Sequence, residues 1–251
     1  MVRNKILLGV TVALFMMPLN SGAVERERTG SYKGRYTEGK FWNKVKHEPG
    51  ETTSRTGWKN ERGEGQHEVQ RKWDKENHKG TYTSTTTGAG GGTVTREGEL
   101  RRSDDGKIIQ EGTITGPGGR QVNVERNVVK NADGTTSVQS VFTGQGGKTL
   151  TAEKRIINEN GTRHVAGQYK TSGGANGTFG SQSTVESGQI NTQRSLTNQN
   201  GRSWKQNIKL RKEDNAVIRD VTNTNPNNES TSFTESIVVD ENTTPPEATN
   251  Q

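Results

Sequence analysis

The chain has 251 residues, of which only 25% are hydrophobic, and its formal net charge at pH 7 is +7. It contains no cysteine, which excludes a disulfide framework, a cysteine-based zinc site and a lipidated N-terminal cysteine. A chain this polar folds only if its few apolar residues stand at regular positions, because it has little material for an ordinary globular core.

The first residues of the chain, 1–23, have the pattern of a secretory signal peptide. A basic start precedes an apolar run at 6–17, and the small residues Ser21 and Ala23 stand before the expected cut. The run is shorter than a helix that spans a bilayer. We therefore predict cleavage after Ala23 and export of a mature chain that begins at Val24. Export without cysteines is typical of bacterial proteins.

Two segments flank a repeat region that we place at 55–240. Residues 24–54 contain aromatic side chains, among them Phe41 and Trp42, and they are expected to form a capping segment or extra strands. Residues 241–251 contain two prolines and no apolar period, which predicts a disordered tail.

The repeat region is marked by a recurring turn. The letters TGAGG at 87–91 return as TGPGG at 115–119 and as TGQGG at 143–147, so the period is 28 residues. A second series of turns, which includes SDDG and NADG, alternates with the first series. Such Gly-rich, Asp-Gly and Asn-Gly turns supply the positive φ that tight hairpins need. Each period therefore predicts two strands and two turns.

The apolar residues of the repeats have an even spacing. Most pairs stand six positions apart, which puts both side chains on one face of a strand, whereas on a helix they would point well apart. The pairs of the segments that follow the first series of turns are Val94/Leu100, Val122/Val128, Leu150/Ile156, Phe179/Val185, Trp204/Leu210 and Phe233/Val239. The return segments show the same even spacing, as in Ile108/Ile114 and Ile190/Leu196.

These patterns predict an all-β protein. We expect a repetitive antiparallel β-meander of about fourteen strands, built from two-strand repeats of 28 residues and forming an extended or curled sheet. A parallel β-helix is the alternative, since 28 residues could make one coil. A transmembrane barrel is disfavoured because Arg, Lys, Glu and Asn side chains would face lipid. The protein is therefore not expected to span a membrane.

The repeated TGPGG turns, with DG turns and Thr- and Arg-rich strands between them, resemble those of bacterial secreted and cell-envelope β-repeat proteins of uncharacterised function. The general design is also similar to the single-layer sheets of spirochaete outer-surface lipoproteins, although this chain lacks their lipidated cysteine. The resemblance covers about residues 80–211. It implies a β-repeat fold at the bacterial envelope and identifies no functional residue.

No catalytic, metal or cofactor site can be read from the sequence. The letters GQGGKT at 144–149 lack the earlier glycine of a phosphate-binding loop, and a strand is predicted after them where that loop needs a helix. None of the four histidines has the spacing of metal ligands. The acids in DG turns have a structural reason to be there. We therefore expect a protein that is not an enzyme and needs no cofactor.

One segment could bind a ligand. Three of the four tryptophans lie in the first third of the chain, and basic residues surround two of them. Packing of the weak N-terminal end of the sheet explains them, and a stacking strip for sugars or bases is the functional alternative. The residues of this strip are Trp58, Lys59, Arg62, Arg71, Lys72 and Trp73.

Two functions follow as expectations. The first is an exported, non-enzymatic protein with a structural or adhesion-like surface role in the bacterial envelope or outside the cell, with envelope proteins as partners. The second is a periplasmic or secreted binder of an anionic polysaccharide, lipopolysaccharide or nucleic acid, which the sequence pI of about 9.6 favours. Interspersed acids would neutralise much of this basic charge.

Overall fold

A computed structural model describes residues 24–34 and 37–239, and sixteen β-strands make up most of them. The strands are β1 (Val24–Lys33), β2 (Glu38–Glu48), β3 (Glu51–Asn60), β4 (Gly63–Asp74), β5 (Lys79–Thr87), β6 (Thr93–Arg102), β7 (Ile108–Thr115), β8 (Gln121–Lys130), β9 (Thr136–Gly144), β10 (Thr149–Glu159), β11 (Thr162–Thr171), β12 (Asn176–Glu186), β13 (Gln189–Asn198), β14 (Ser203–Glu213), β15 (Ala216–Thr224) and β16 (Ser230–Val239). A single turn of 3₁₀ helix, Gln145–Gly147, joins β9 to β10. In the described part of the chain, no helix has the length and apolarity to cross a membrane.

The strands form one closed antiparallel barrel. Each strand pairs with its neighbours in the chain, and β1 also pairs with β16. The expectation of an all-β antiparallel protein is confirmed. The open meander of about fourteen strands is wrong because the sheet has sixteen strands and closes on itself, and the parallel β-helix is wrong because every pairing is antiparallel. The additional strands come from residues 24–54.

The predicted turns are hairpin turns that need glycine. Gly118 and Gly119 of TGPGG have φ of 89° and 77°, and Gly134 of NADG has φ of 79°. Backbone hydrogen bonds close these loops, as in Gly116 N to Arg120 O at 2.8 Å and Asn131 N to Thr135 O at 2.8 Å. Positive φ is costly for residues with a Cβ, so the glycines fix where the chain reverses.

The predicted apolar pairs lie on one face of the barrel. Residues that are directly opposite in neighbouring antiparallel strands project to the same side, so the register assigns every strand residue to one of two faces. All six buried apolar residues of the described strands are on the same face as the predicted pairs. They are Val45, Val124, Val138, Ile156, Ile208 and Val221.

This more buried face is the inner wall. Side chains converge on the concave side of a barrel and diverge on the convex side, so deep burial in a single-layer sheet belongs to the inside. When directly paired residues are followed once around the sheet, the path returns to β1 about 20 residues from where it began. This stagger corresponds to a strand tilt of about 40° and a backbone diameter of about 30 Å. Barrels of sixteen strands leave an aqueous interior.

Two predicted segments lie outside the described residues. The signal peptide at 1–23 is one of them, and the tail at 241–251 is the other. The first described strand begins at Val24, so cleavage after Ala23 would leave every described strand intact.

Candidate anion-binding face

The inner wall carries almost only positive charges. We call it the arginine face, and its charged residues in the described strands are Arg26, Arg28, Arg71, Arg96, Arg102, Arg126, Lys130, Lys154, Arg163, Arg194, Lys212, Arg219 and Glu235. Glu235 is the sole acid among them. Every other Asp or Glu of these strands lies on the opposite side, which we call the mixed face.

The mixed face neutralises itself. Lys44 Nζ lies 2.6 Å from Glu25 Oε1, Arg55 Nε lies 3.0 Å from Glu68 Oε1, and Arg101 Nη2 lies 3.3 Å from Glu111 Oε1. Each exposed pair contributes little to stability, about 0–1 kcal/mol. Together they leave the outer surface hydrated and without a strong field of either sign.

Charges on the arginine face repel one another instead. Burial, together with the nearby charges of Arg126 and Arg163, lowers the pKa of Lys154. Burial and the charge of Arg96 lower the pKa of His67 in the same way. Both shifts show that the protonated forms are disfavoured here, first because burial removes their hydration and then because neighbouring arginines repel them.

Polar neighbours orient some of these cations without neutralising them. Arg126 Nε donates to Ser140 Oγ at 3.2 Å, and its Nη1 donates to Gln110 Oε1 at 3.4 Å. In the described chain, Arg126, Lys154 and Arg163 make no ion pair. Arg219 differs, since its Nη1 lies 2.5 Å from Glu235 Oε2. A group of fixed, uncompensated cations on a concave wall attracts anions.

The structure places the six residues of the stacking strip that the sequence suggested on different surfaces. Trp58, Arg71 and Trp73 are on the arginine face, whereas Lys59 and Lys72 are on the mixed face. The latter two pair with acids, Lys59 with Glu64 at 2.5 Å and Lys72 with Glu51 at 3.6 Å. Arg62 lies in the turn between β3 and β4. The six residues therefore do not form one surface.

The tryptophans of that strip have a packing role. Trp58 lies directly opposite Gly65, and Trp73 lies directly opposite Gly80. A Cβ placed on either glycine would overlap the indole ring, so each ring covers the glycine of the next strand. Tyr82, Tyr169 and Phe179 cover glycines in the same manner. These aromatic rings fill the surface that the glycines leave open.

The remaining sequence candidates have structural positions. GQGGKT forms the turn between β9 and β10, where Gly144 N donates to Lys148 O at 2.8 Å. The ring of His67 hydrogen-bonds Thr86 Oγ1 at 2.8 Å, and the ring of His47 hydrogen-bonds Thr52 Oγ1 at 3.0 Å. Across residues 24–34 and 37–239, no three His, Asp or Glu side chains are grouped as metal ligands would be.

The sequence alone predicted a basic protein but not the separation of its charges between the two faces of the sheet. The sequence does contain a signal for this separation, because an even number of positions separates the cations from the apolar pairs. Arg96 stands two residues after Val94, and Lys154 stands four residues after Leu150. Even offsets put these cations and the apolar residues on one side of a strand.

Comparison with known proteins assigns no family to this chain. No protein-family model matches the chain, and the search of curated proteins found no match for it.

Proposed function

We propose that this chain is an exported, non-enzymatic protein that binds an anionic polymer, most simply an acidic polysaccharide, along the arginine face of its barrel. The observation that supports this proposal is the separation of charge by face. Twelve arginines and lysines of the described strands lie on the arginine face, whereas cations of the mixed face lie beside acids. Among the described strands, Glu235 is the one acid of the arginine face.

The free-energy cost of holding many positive charges on one wall also supports the proposal of an anionic ligand. Burial first, and repulsion from neighbouring arginines second, lower the pKa values of Lys154 and His67, so the wall holds its positive charges at a cost. An anionic polymer relieves that repulsion and releases its own counterions, which favours association. A linear chain also suits the interior of a barrel with a backbone diameter of about 30 Å, because it can follow the axis past successive cations.

A structural or adhesion-like role in the bacterial envelope is the second candidate. The outer mixed face favours it, since a polar, self-paired surface can stand in water or against other hydrated envelope components. Export, in the periplasm or beyond the cell, belongs to the proposal for both candidates and depends on the sequence of residues 1–23. N-terminal sequencing of exported protein should begin at Val24.

The salt dependence of binding tests the proposal. Residues 24–251 would be titrated with polygalacturonate, heparin and single-stranded DNA at increasing NaCl. We expect the logarithm of the association constant to fall linearly with the logarithm of the salt concentration, with a slope that reports several released counterions. Stronger binding of DNA than of both polysaccharides would identify nucleic acid as the partner. Failure of all three polymers to bind at low salt would refute the proposal.

A further inference from the structure

We propose that the rim of the barrel contains a subsite for a carboxylated sugar, formed by Trp204, Arg194 and the amide pair Gln206 and Asn223. This inference rests on the proposed function, because it names one place where an acidic polysaccharide is held. The subsite lies at the rim where β13 ends, β14 begins and β15 ends. It is independent of the stacking strip discussed above.

A depression of about 420 Å³ lies at this rim. Its lining includes Arg194, Leu196, Trp204, Gln206, Asn223 and Glu229. The volume suits one or two sugar units, being at the lower end of the range of small-molecule sites. The Glu229 carboxylate already has a partner in the turn between β15 and β16, where its Oε2 accepts a hydrogen bond from Asn225 Nδ2 at 2.7 Å.

Trp204 is placed differently from the other three tryptophans. Its partner across β13 and β14 is Leu196, not a glycine. Toward β15, the first paired residue of β14 is Lys205, so Trp204 has no partner residue on that strand. The indole ring therefore lies at the end of the sheet ladder. Trp204 is 41% exposed and Leu196 is 42% exposed. Together they present an apolar platform to solvent.

Polar groups form a row beside this platform. Arg194 lies directly opposite Gln206, and Gln206 lies directly opposite Asn223, so the three side chains cross three strands on the arginine face. Gln206 Nε2 donates to Asn223 Oδ1 at 2.8 Å, which holds both amides in place. The row is two residues along the strand from Trp204, a distance of about 7 Å.

The arrangement matches the chemistry of an acidic sugar ring. An aromatic platform packs against the apolar face of a pyranose, and the Gln206 and Asn223 amides offer an acceptor and donors for its hydroxyls. The planar guanidinium of Arg194 suits a carboxylate, which it can bind through two parallel hydrogen bonds. A neutral sugar would leave Arg194 without its anion. The subsite therefore predicts a preference for uronic-acid units over neutral ones.

Binding of a short oligogalacturonide tests this subsite, with a neutral oligosaccharide of the same length for comparison. In calorimetry at fixed salt, we expect the protein to bind the acidic oligomer and to bind the neutral oligomer at least tenfold more weakly. Trp204→Ala should weaken binding of the acidic oligomer at least tenfold, while Trp204→Phe should recover most of the affinity. Arg194→Gln should abolish the preference for the acidic oligomer. Trp42→Ala, on the mixed face, is the matched control and should bind as the unchanged protein does.

Several results would overturn the subsite. Failure of the unchanged protein to bind the acidic oligomer, equal binding of both oligomers, or unchanged binding by Trp204→Ala would each do so. The long anionic polymers separate this failure from failure of the proposed function. If they still bind with steep salt dependence while Trp204→Ala has no effect, the arginine face remains the binding surface and only the rim subsite is refuted.

Discussion

Aromatic side chains that cover glycines hold neighbouring strands together at the scale of single residues. Phe179 on β12 lies directly opposite Gly167 on β11. A Cβ on Gly167 would lie 2.5 Å from Phe179 Cζ and 2.5 Å from the Glu153 carbonyl oxygen. Both contacts are too short for real atoms, so the position requires glycine for close approach and not for backbone flexibility.

Replacement of this glycine should destabilise the barrel. We expect Gly167→Ala to lower the free energy of unfolding by about 1–3 kcal/mol, because either the ring or the neighbouring backbone must move. Gly180→Ala is the matched control, since its Cβ would meet Val165 O at 3.4 Å and Ser195 Oγ at 3.5 Å. Urea unfolding measures both variants. Equal loss of stability in the two would contradict the role of the covered glycine.

Lys154 should affect stability and binding in opposite directions. Burial and two neighbouring arginines lower its pKa, so its charged form is a cost to the folded state at neutral pH. We expect Lys154→Gln to raise the melting temperature at pH 7 and to reduce the salt slope of polymer binding by about 1. The folded pKa lies below 10.5, and the difference in stability between the two proteins should therefore shrink as the pH rises through the folded pKa toward 10.5.

A purely structural lysine would give another result. Its replacement would lower the melting temperature or leave it unchanged, with no change in polymer binding. Thermal unfolding at pH 7 and pH 10, combined with titrations of the polymer, distinguishes the two roles.

Hairpins are the elements that the sequence predicted best. Turn residues and apolar spacing act over a few positions, so the glycines of TGPGG and the pair Leu150/Ile156 were sufficient to indicate strands, turns and a shared face. Closure of the barrel depends on contacts between opposite ends of the chain, for which no local pattern exists. The arginine face was likewise missed, because it appears only when residues from all strands are assigned to faces.

The seam between β1 and β16 is the element that distinguishes a barrel from an open meander. It contains four residue pairs, Gly30 to Lys33 with Val239 to Ser236, whereas β1 and β2 share ten. A short ladder of this kind contributes less to stability than the others. It also joins residues about 200 positions apart, which makes it the least local pairing among the described strands.

Cysteine crosslinking tests closure at this seam. The chain has no cysteine, so Ser31→Cys with Val238→Cys introduces two thiols on strands that the barrel pairs directly. Directly opposite Cα atoms in antiparallel strands are about 4.5–5.5 Å apart, which permits a disulfide or a short crosslink. Ser31→Cys with Gln139→Cys, on a distant strand, is the control and should not crosslink. Absence of crosslinking in the first pair would indicate an open sheet.

At the scale of the whole molecule, the positive net charge of the chain is distributed unevenly between two surfaces. The arginine face is strongly positive and concave, and the mixed face balances cations with acids. A field of this kind comes from the alternation of residues along the strands and from closure, which turns one side of the sheet inward. The function proposed for the protein depends on that separation.

Removal of three charges from each face tests this account most directly. One variant combines Arg126→Gln, Lys154→Gln and Arg163→Gln on the arginine face, and the control combines Lys40→Gln, Lys170→Gln and Lys209→Gln on the mixed face. Both lose the same net charge. The account predicts that affinity for polygalacturonate or heparin at low salt falls at least tenfold in the first variant and changes less than threefold in the second. Equal losses in the two variants, at equal thermal stability, would contradict it, because binding would then follow net charge and not the arginine face.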